Sequence, residues 1–273
     1  MDDFKRKRLK IIRTGTRNAL QILKTIAAAF SMFSAIPMPR ISWDETPPRY
    51  LLCAFPLVGV VIGCCWLAWG AFCDWLSLPA ILRGAGLTLL PVVLTGGVHL
   101  DGYADTTDAL CSHAPPERKR EILKDPHSGA FAVIWLCAYF TGALSLCASL
   151  RSCALMCPAF VLSRALSGAA LTLLPLADGA GLARAFVEAS DLRRVRRILC
   201  AEVFASALAL WLCGGFAGFL MICAAAAVMA RYVYAVKREF NGASGDLAGW
   251  FLQKAEFWTL AALAFAQYWE AKA

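Results

Sequence analysis

The chain has 273 residues, 59% of them hydrophobic and 17% charged, with a formal net charge of +8. A soluble domain carries about 25% charged residues, and the apolar excess here is gathered into runs near the roughly 20 residues that a helix needs to cross a bilayer. This excludes a soluble globular domain and points to an all-α, polytopic integral membrane protein.

The basic charge is local. Residues 1–18 hold Lys5, Arg6, Lys7, Arg8, Lys10, Arg13 and Arg17. A membrane protein's cytoplasmic flank is basic in this way, so the arm is assigned to that side rather than to nucleic acid. It does not introduce a signal peptide, because the apolar stretch after it ends in Ala35-Ile36-Pro37-Met38-Pro39 without a cleavage pattern. Residues 19–38 form a weak candidate span, with Lys24 in mid-run and Pro37 near the end.

Stronger runs follow at 50–73, 79–98, 129–150, 152–176, 198–213, 216–236 and 247–268. Gly214-Gly215 breaks the fifth from the sixth, which predicts a tight helical hairpin. If 19–38 does not span, segments 1–49, 101–128, 177–197 and 237–246 share one side. Beyond the arm, that side gathers Arg118, Lys119, Arg120 and Lys124, then Arg184, Arg193, Arg194, Arg196 and Arg197, then Lys237 and Arg238. The other side keeps little more than Arg83, Arg151 and Lys272. This asymmetry predicts about seven transmembrane helices after a re-entrant or interfacial helix at 19–38, with the N-terminus cytoplasmic. Residues 191–197 are expected to form a short interfacial helix whose arginines touch lipid phosphates. The chain as a whole, 1–273, is expected to be a single membrane-embedded catalytic domain, with 101–128 its cytoplasmic active-site segment. Of twelve cysteines, most lie inside apolar runs and none forms a Cys-x-x-Cys pair, so they are assigned to packing.

Three polar segments fall on the predicted cytoplasmic face. In the first, Asp101, Asp105 and Asp108 lie at i, i+4 and i+7, which on a helix places them on one face. Three carboxylates so stacked repel one another. Solvation accounts for such a cluster, and so does a divalent cation; carboxylate oxygens suit Mg²⁺. His99 beside them is a ligand, a base or a helix-end residue. In the second segment, Lys124-Asp125-Pro126-His127-Ser128-Gly129 precedes an apolar helix. It is either an ordinary capped loop or a phosphate site in which Ser128 caps, Gly129 admits an anion to the free N–H groups, and Lys124 adds charge. The third, Asn241-Gly242-Ala243-Ser244-Gly245-Asp246 with Gly249, leads into the last helix, followed by Gln253 and Glu256. Its glycines let backbone approach a ligand.

These residues carry a resemblance. Gly97-x-His99-Leu100-Asp101-Gly102-x-Ala104-Asp105-x-x-Asp108 and Lys124-Asp125-x-x-x-Gly129 are similar to motifs of the cobalamin synthase family, the adenosylcobinamide-GDP ribazoletransferases. Phe55-Pro56-Leu57-Val58-Gly59, Ile36-Pro37-Met38-Pro39 and Ser244-Gly245-Asp246 also match. Two departures stand out: Ala132 replaces an expected glycine, and Asn241-Gly242-Ala243-Ser244 replaces a Gly-Gly-x-Thr pattern, with Ser244 keeping the hydroxyl.

The resemblance implies a Mg²⁺-dependent transfer late in cobalamin assembly, joining adenosylcobinamide-GDP to α-ribazole or its 5′-phosphate with loss of GMP. It implies a catalytic set of His99, Asp101, Asp105, Asp108 and Lys124, and a metal set of Asp101, Asp105, Asp108 and Asp246. Asp125, Ser128, Gly129, Arg164, Gly242, Ser244 and Gly245 would bind substrate; Arg164, inside an apolar run, needs an acidic partner otherwise. The implied setting is a bacterial or archaeal inner membrane with the site facing the cytoplasm. The implied partners are the bilayer, the two substrates, and a second copy or other cobalamin-assembly enzymes, with no nucleic acid. A CDP-alcohol phosphotransferase fits less well, because Asp-Gly-x-x-Ala-Arg is absent. A cation-coupled transporter fits less well too, because no repeat is evident.

Overall fold

The computed structural model describes residues 19–39 and 47–272, so the basic arm 1–18 lies outside the described residues. Among the described residues there are helices and one isolated bridge, Leu176 with Ala243. In chain order the helices are α1 (Ala19–Phe33), α2 (Leu51–Trp75), α3 (Ala80–Thr95), α4 (Val98–Cys111) and α5 (Pro116–Ile122). Then come α6 (Ala130–Ser149), α7 (Met156–Leu173), α8 (Gly181–Ala189), α9 (Leu192–Tyr234, running into a π-helical turn Ala235–Glu239) and α10 (Gly245–Glu270).

The chain is an all-helical membrane protein. Four helices are long and apolar enough to cross a bilayer: α2, α6, α7 and the Leu192–Glu239 stretch; α3 and α4 make a fifth if counted as one span bent by 96°. That is fewer than the seven expected, for two physical reasons. Gln253, Lys254, Glu256 and Gln267 lower the hydropathy of α10. Stretch Leu192–Glu239 also counts once although it is broken. Gly215 has φ 50° and ψ −119°, a conformation open to glycine alone, and a Cβ on Gly218 would fall 1.9 Å from the Leu210 carbonyl oxygen. The limbs before and after Gly215 therefore fold back on each other, as the Gly214-Gly215 pair predicts.

Helix α1 is about 22 Å long at 1.5 Å per residue, short of the roughly 30 Å hydrocarbon core. Its Ala28, Ala29 and Phe30 are buried, the alanines against Leu51 and Leu52 of α2 and Leu199 of α9. The main packing pairs are α2 with α7, α7 with α9, α10 with α9 and α4, and α3 with α6. All twelve cysteines are free, in keeping with a packing role. The interfacial helix expected at 191–197 is instead the first turns of α9. Asp191 caps it by accepting from Arg194 N at 3.3 Å, and the apolar sequence beyond continues the helix without a break. Two of its arginines bind protein: Arg196 donates to the Thr172 carbonyl, and Arg194 to the Tyr50 hydroxyl at 3.4 Å.

Candidate active site

Helix α3 stops at Gly96 and Gly97, both left-handed with φ of 65° and 78°. The chain leaves that corner at 96°, so α4 does not prolong the span but runs across one end of the bundle. Asp101, Asp105 and Asp108 are all on this helix, as their spacing requires for a shared face. The start of α10 lies directly on it: a Cβ on Gly102 would meet the Asp246 carbonyl oxygen at 2.7 Å. That close approach is what brings Asp246 to the carboxylates of α4.

Two of the four acids are held above the usual carboxylate range. Burial pushes the Asp105 carboxyl up to about 6, and the neighbouring Asp101, Asp246 and Asp108 add to the shift. Asp246 is raised by burial and by Asp101, against a backbone hydrogen bond that lowers it. Among the described residues no Lys, Arg or His lies within 4.0 Å of any of these four carboxylates.

A cavity of about 390 Å³ opens beside them. Asp101, Ser244, Gly245 and Asp246 line it together with His99, Phe55 of α2, Phe33 of α1 and the Gly179–Gly181 turn with Ala183 and Phe186 of α8. His99 is 7% exposed, its ring 5.6 Å from that of Phe55, and its Nε2 has no hydrogen-bond partner. Burial, with Arg164 nearby, holds its imidazole down to about 3, so the ring is neutral. Ser244 caps α10, its Oγ accepting from Leu247 N at 3.3 Å. The loop before it is pinned to residues 175–177: Ala243 N donates to the Pro175 carbonyl at 2.8 Å and Ala177 N to the Ala243 carbonyl at 2.9 Å. Gly242 belongs to that pinning, donating to the Val236 carbonyl at 2.8 Å, and is not on the cavity wall.

The second segment requires corrections. Lys124 is at the rim, its Nζ 3.7 Å from where a Cβ on the cavity-lining Gly179 would be. Asp125 faces solvent and accepts from His127 N at 3.0 Å, with the His127 ring 2.8 Å away, contacts that hold its carboxyl below the usual range. Ser128 is exposed and is not the cap of α6; Gly129 holds that position without a side-chain bond. The expected phosphate place is already taken by the protein's own anion. Asp108 Oδ1 accepts from Ala132 N at 3.3 Å, and a Cβ on Gly129 would fall 1.9 Å from Asp108 Oδ2. Helix dipole and free N–H groups attract a carboxylate as they do a phosphate.

Arg164 is the other correction. It is fully buried behind the cavity wall and does not line it; Nη1 donates to Glu256 Oε1 at 2.6 Å and to the Phe160 carbonyl at 3.0 Å. Its guanidinium lies 5.8 Å and 5.9 Å from the Phe55 and Phe160 ring centres. This arginine bolts α7 to α10 and is committed to that carboxylate. Sequence reasoning missed α8 as a cavity wall. Its Leu182, Ala183, Phe186 and Val187 recur with the spacing of one apolar helix face, which was the available signal.

Hard oxygen donors without a basic neighbour suit Mg²⁺, but in their present placement they do not make a cage: among the described residues no group of three or more His, Cys, Asp or Glu is set to hold one ion. The fit is to Mg²⁺ held by one or two carboxylates plus the phosphates of a substrate, the usual arrangement for this ion.

Residues 25–264 match the family model described as cobalamin-5-phosphate synthase. A protein named adenosylcobinamide-GDP ribazoletransferase from Lachnoclostridium phytofermentans is 37% identical over 248 residues, 90% of this chain and 95% of the relative. Proteins of the same name from Clostridium perfringens strain 13 and Pseudomonas savastanoi pv. phaseolicola are 30% and 33% identical; the matches cover 86% and 88% of this chain and 94% and 97% of the relatives. No solved structure matches the chain.

Proposed function

We infer the activity from a plain premise: this chain belongs to the cobalamin-5-phosphate synthase family. It is an enzyme of cobalamin biosynthesis that carries out the transfer its relatives are named for, from adenosylcobinamide-GDP to α-ribazole or the 5′-phosphate of α-ribazole. The observation that supports this site for the reaction is the cavity that His99, Asp101 and Asp246 line together.

The chemistry follows from the substrates. A ribose hydroxyl of α-ribazole attacks the phosphorus that bears the cobinamide. One oxygen–phosphorus bond forms, the bond to the GMP oxygen breaks, and GMP leaves. Phosphoryl-type transfer asks the protein mainly for position and charge. A carboxylate of the cavity wall accepts the hydroxyl proton, in a wall that otherwise keeps water out with Phe33, Phe55 and Phe186; His99, held down to about 3 by burial and by Arg164, stays neutral beside it. Ser244, Gly245 and the first turn of α10 present backbone N–H groups to a phosphate oxygen, and Lys124 at the rim adds a positive charge near the GDP end. Asp101 and Asp246, the two carboxylates on the cavity wall, would hold Mg²⁺ together with the substrate phosphates, and the ion would neutralise pyrophosphate charge. Asp108 sets α4 against α6 and so positions the other carboxylates.

In this reading α2, α3, α6, α7, the two limbs of α9 and α10 make seven crossings, α1 stays at the interface, and α4, α5 and α8 face the cytoplasm of a prokaryotic inner membrane. The whole chain works as one catalytic domain. Purified protein given adenosylcobinamide-GDP, α-ribazole and Mg²⁺ should release GMP and form the joined corrinoid in equal amounts. GMP without the joined product, or no GMP at all, would sink the assignment.

A further inference from the structure

A second concavity, of about 460 Å³, lies between α4, α6, α9 and α10 on another face of α4 from its carboxylates. Three indoles line it, Trp135 of α6 and Trp250 and Trp258 of α10, and two cations, Arg231 of α9 and Lys254 of α10. The Arg231 guanidinium lies 5.7 Å from the Trp250 ring centre, and Lys254 Nζ lies 5.3 Å from that of Trp135. Among the described residues neither cation has a carboxylate within 4.0 Å. The groove opens on the perimeter of the bundle, where Trp135, Arg231 and Trp258 are exposed.

Lys254 lies about 14 Å along α10 from Gly245 at 1.5 Å per residue, and Arg231 sits opposite it on the antiparallel limb of α9. Two positive side chains at that level, Arg231 exposed and Lys254 half-buried between the Tyr103 and Trp135 rings, lack a carboxylate and are costly without a counter-charge. Indoles favour the boundary between headgroups and acyl chains. Trp258 is one turn further along α10 than Lys254 and 51% exposed, which offers an apolar wall below the cations. From this charge complementarity we propose that the groove holds one acidic phospholipid of the bilayer, its phosphate between Arg231 and Lys254 and its chains along Trp258.

The test is native mass spectrometry of the protein purified in detergent and given phosphatidylglycerol or phosphatidylcholine. The wild type should retain one phosphatidylglycerol with at least tenfold preference over phosphatidylcholine. Arg231→Gln/Lys254→Gln should lose that preference, and charge-keeping Arg231→Lys/Lys254→Arg should hold it, which separates lipid binding from misfolding. Equal retention of both lipids by the wild type, or undiminished selectivity in the glutamine pair, would overturn the proposal. So would a glutamine pair that keeps its lipid but shows a tenfold higher KM for adenosylcobinamide-GDP, since the groove would then serve the substrate.

Discussion

Helices α6 and α10 open with the same dipeptide, Ser128-Gly129 in one and Ser244-Gly245 in the other, and both starts meet α4. At α10 the serine caps, Asp246 occupies the first turn, and nothing crowds Gly245. At α6 the serine is exposed, and one free N–H of the first turn, that of Ala132, donates to the Asp108 carboxylate from 24 residues upstream. One start is closed by the protein's own anion while the other stays open on the cavity. The difference is made by α4, which offers Asp108 to one neighbour and the bare backbone of Gly102 to the other.

The largest expected effects test that contrast at the carboxylates. Asp101→Asn and Asp246→Asn should each lower kcat/KM for GMP release by about 10³, roughly 4 kcal/mol, while the protein still inserts. Asp108→Asn keeps an oxygen for Ala132 N and should lose only about tenfold. Mg²⁺ should raise the Tm of the wild type by ligand linkage and do much less for Asp101→Asn. Equal losses at all three positions would return Asp108 to the metal set and dissolve the distinction between the two helix starts.

The glycines come next. Gly129→Ala would drive a Cβ to 1.9 Å from Asp108 Oδ2 and should cost about 1–3 kcal/mol as overpacking, measured by thermal unfolding in detergent. Gly245→Ala meets nothing within 4 Å and should change stability by no more than about 1 kcal/mol, in the stabilising direction. A Gly129→Ala variant as stable as wild type would show that Asp108 swings away freely. Lys124→Ala, at the exposed rim, should raise the KM for the GDP-linked substrate about three- to tenfold with kcat near wild type; unchanged kinetics would make its segment an ordinary loop.

The sequence revealed what is local and left hidden what is tertiary. Run 50–73 became Leu51–Trp75 and run 129–150 became Ala130–Ser149, because a 20-residue apolar stretch in lipid has no alternative to a helix. Gly214-Gly215 announced the fold-back of α9 because a left-handed residue ends a helix. The one-face spacing of Asp101, Asp105 and Asp108 held because α4 is helical. Arg164 was different: its partner Glu256 is 92 residues away on α10, and no local pattern links them. The contact of Asp108 with the α6 start was hidden for the same reason, since only the packing of α4 on α6 decides which anion reaches the Ala132 N–H. Helix α8 was legible in its apolar spacing but too short to stand out among 20-residue runs.

The smallest expected effect is also the cleanest comparison, because the two serines differ only in what their hydroxyls meet. Ser244 Oγ accepts from Leu247 N, one of the four N–H groups that a helix start leaves without a backbone partner. Removing such a cap costs about 1 kcal/mol. Ser244→Ala should therefore lower the Tm slightly. Because the same turn carries Asp246 against Gly102, loosening it should also lower the rate of GMP release by a small factor. Ser128→Ala removes an exposed hydroxyl that caps nothing, so both Tm and rate should stay at wild type. If Ser128→Ala proved as costly as Ser244→Ala, the α6 start would be capped by its serine after all, and Asp108 would be free to join the acids that face the cavity.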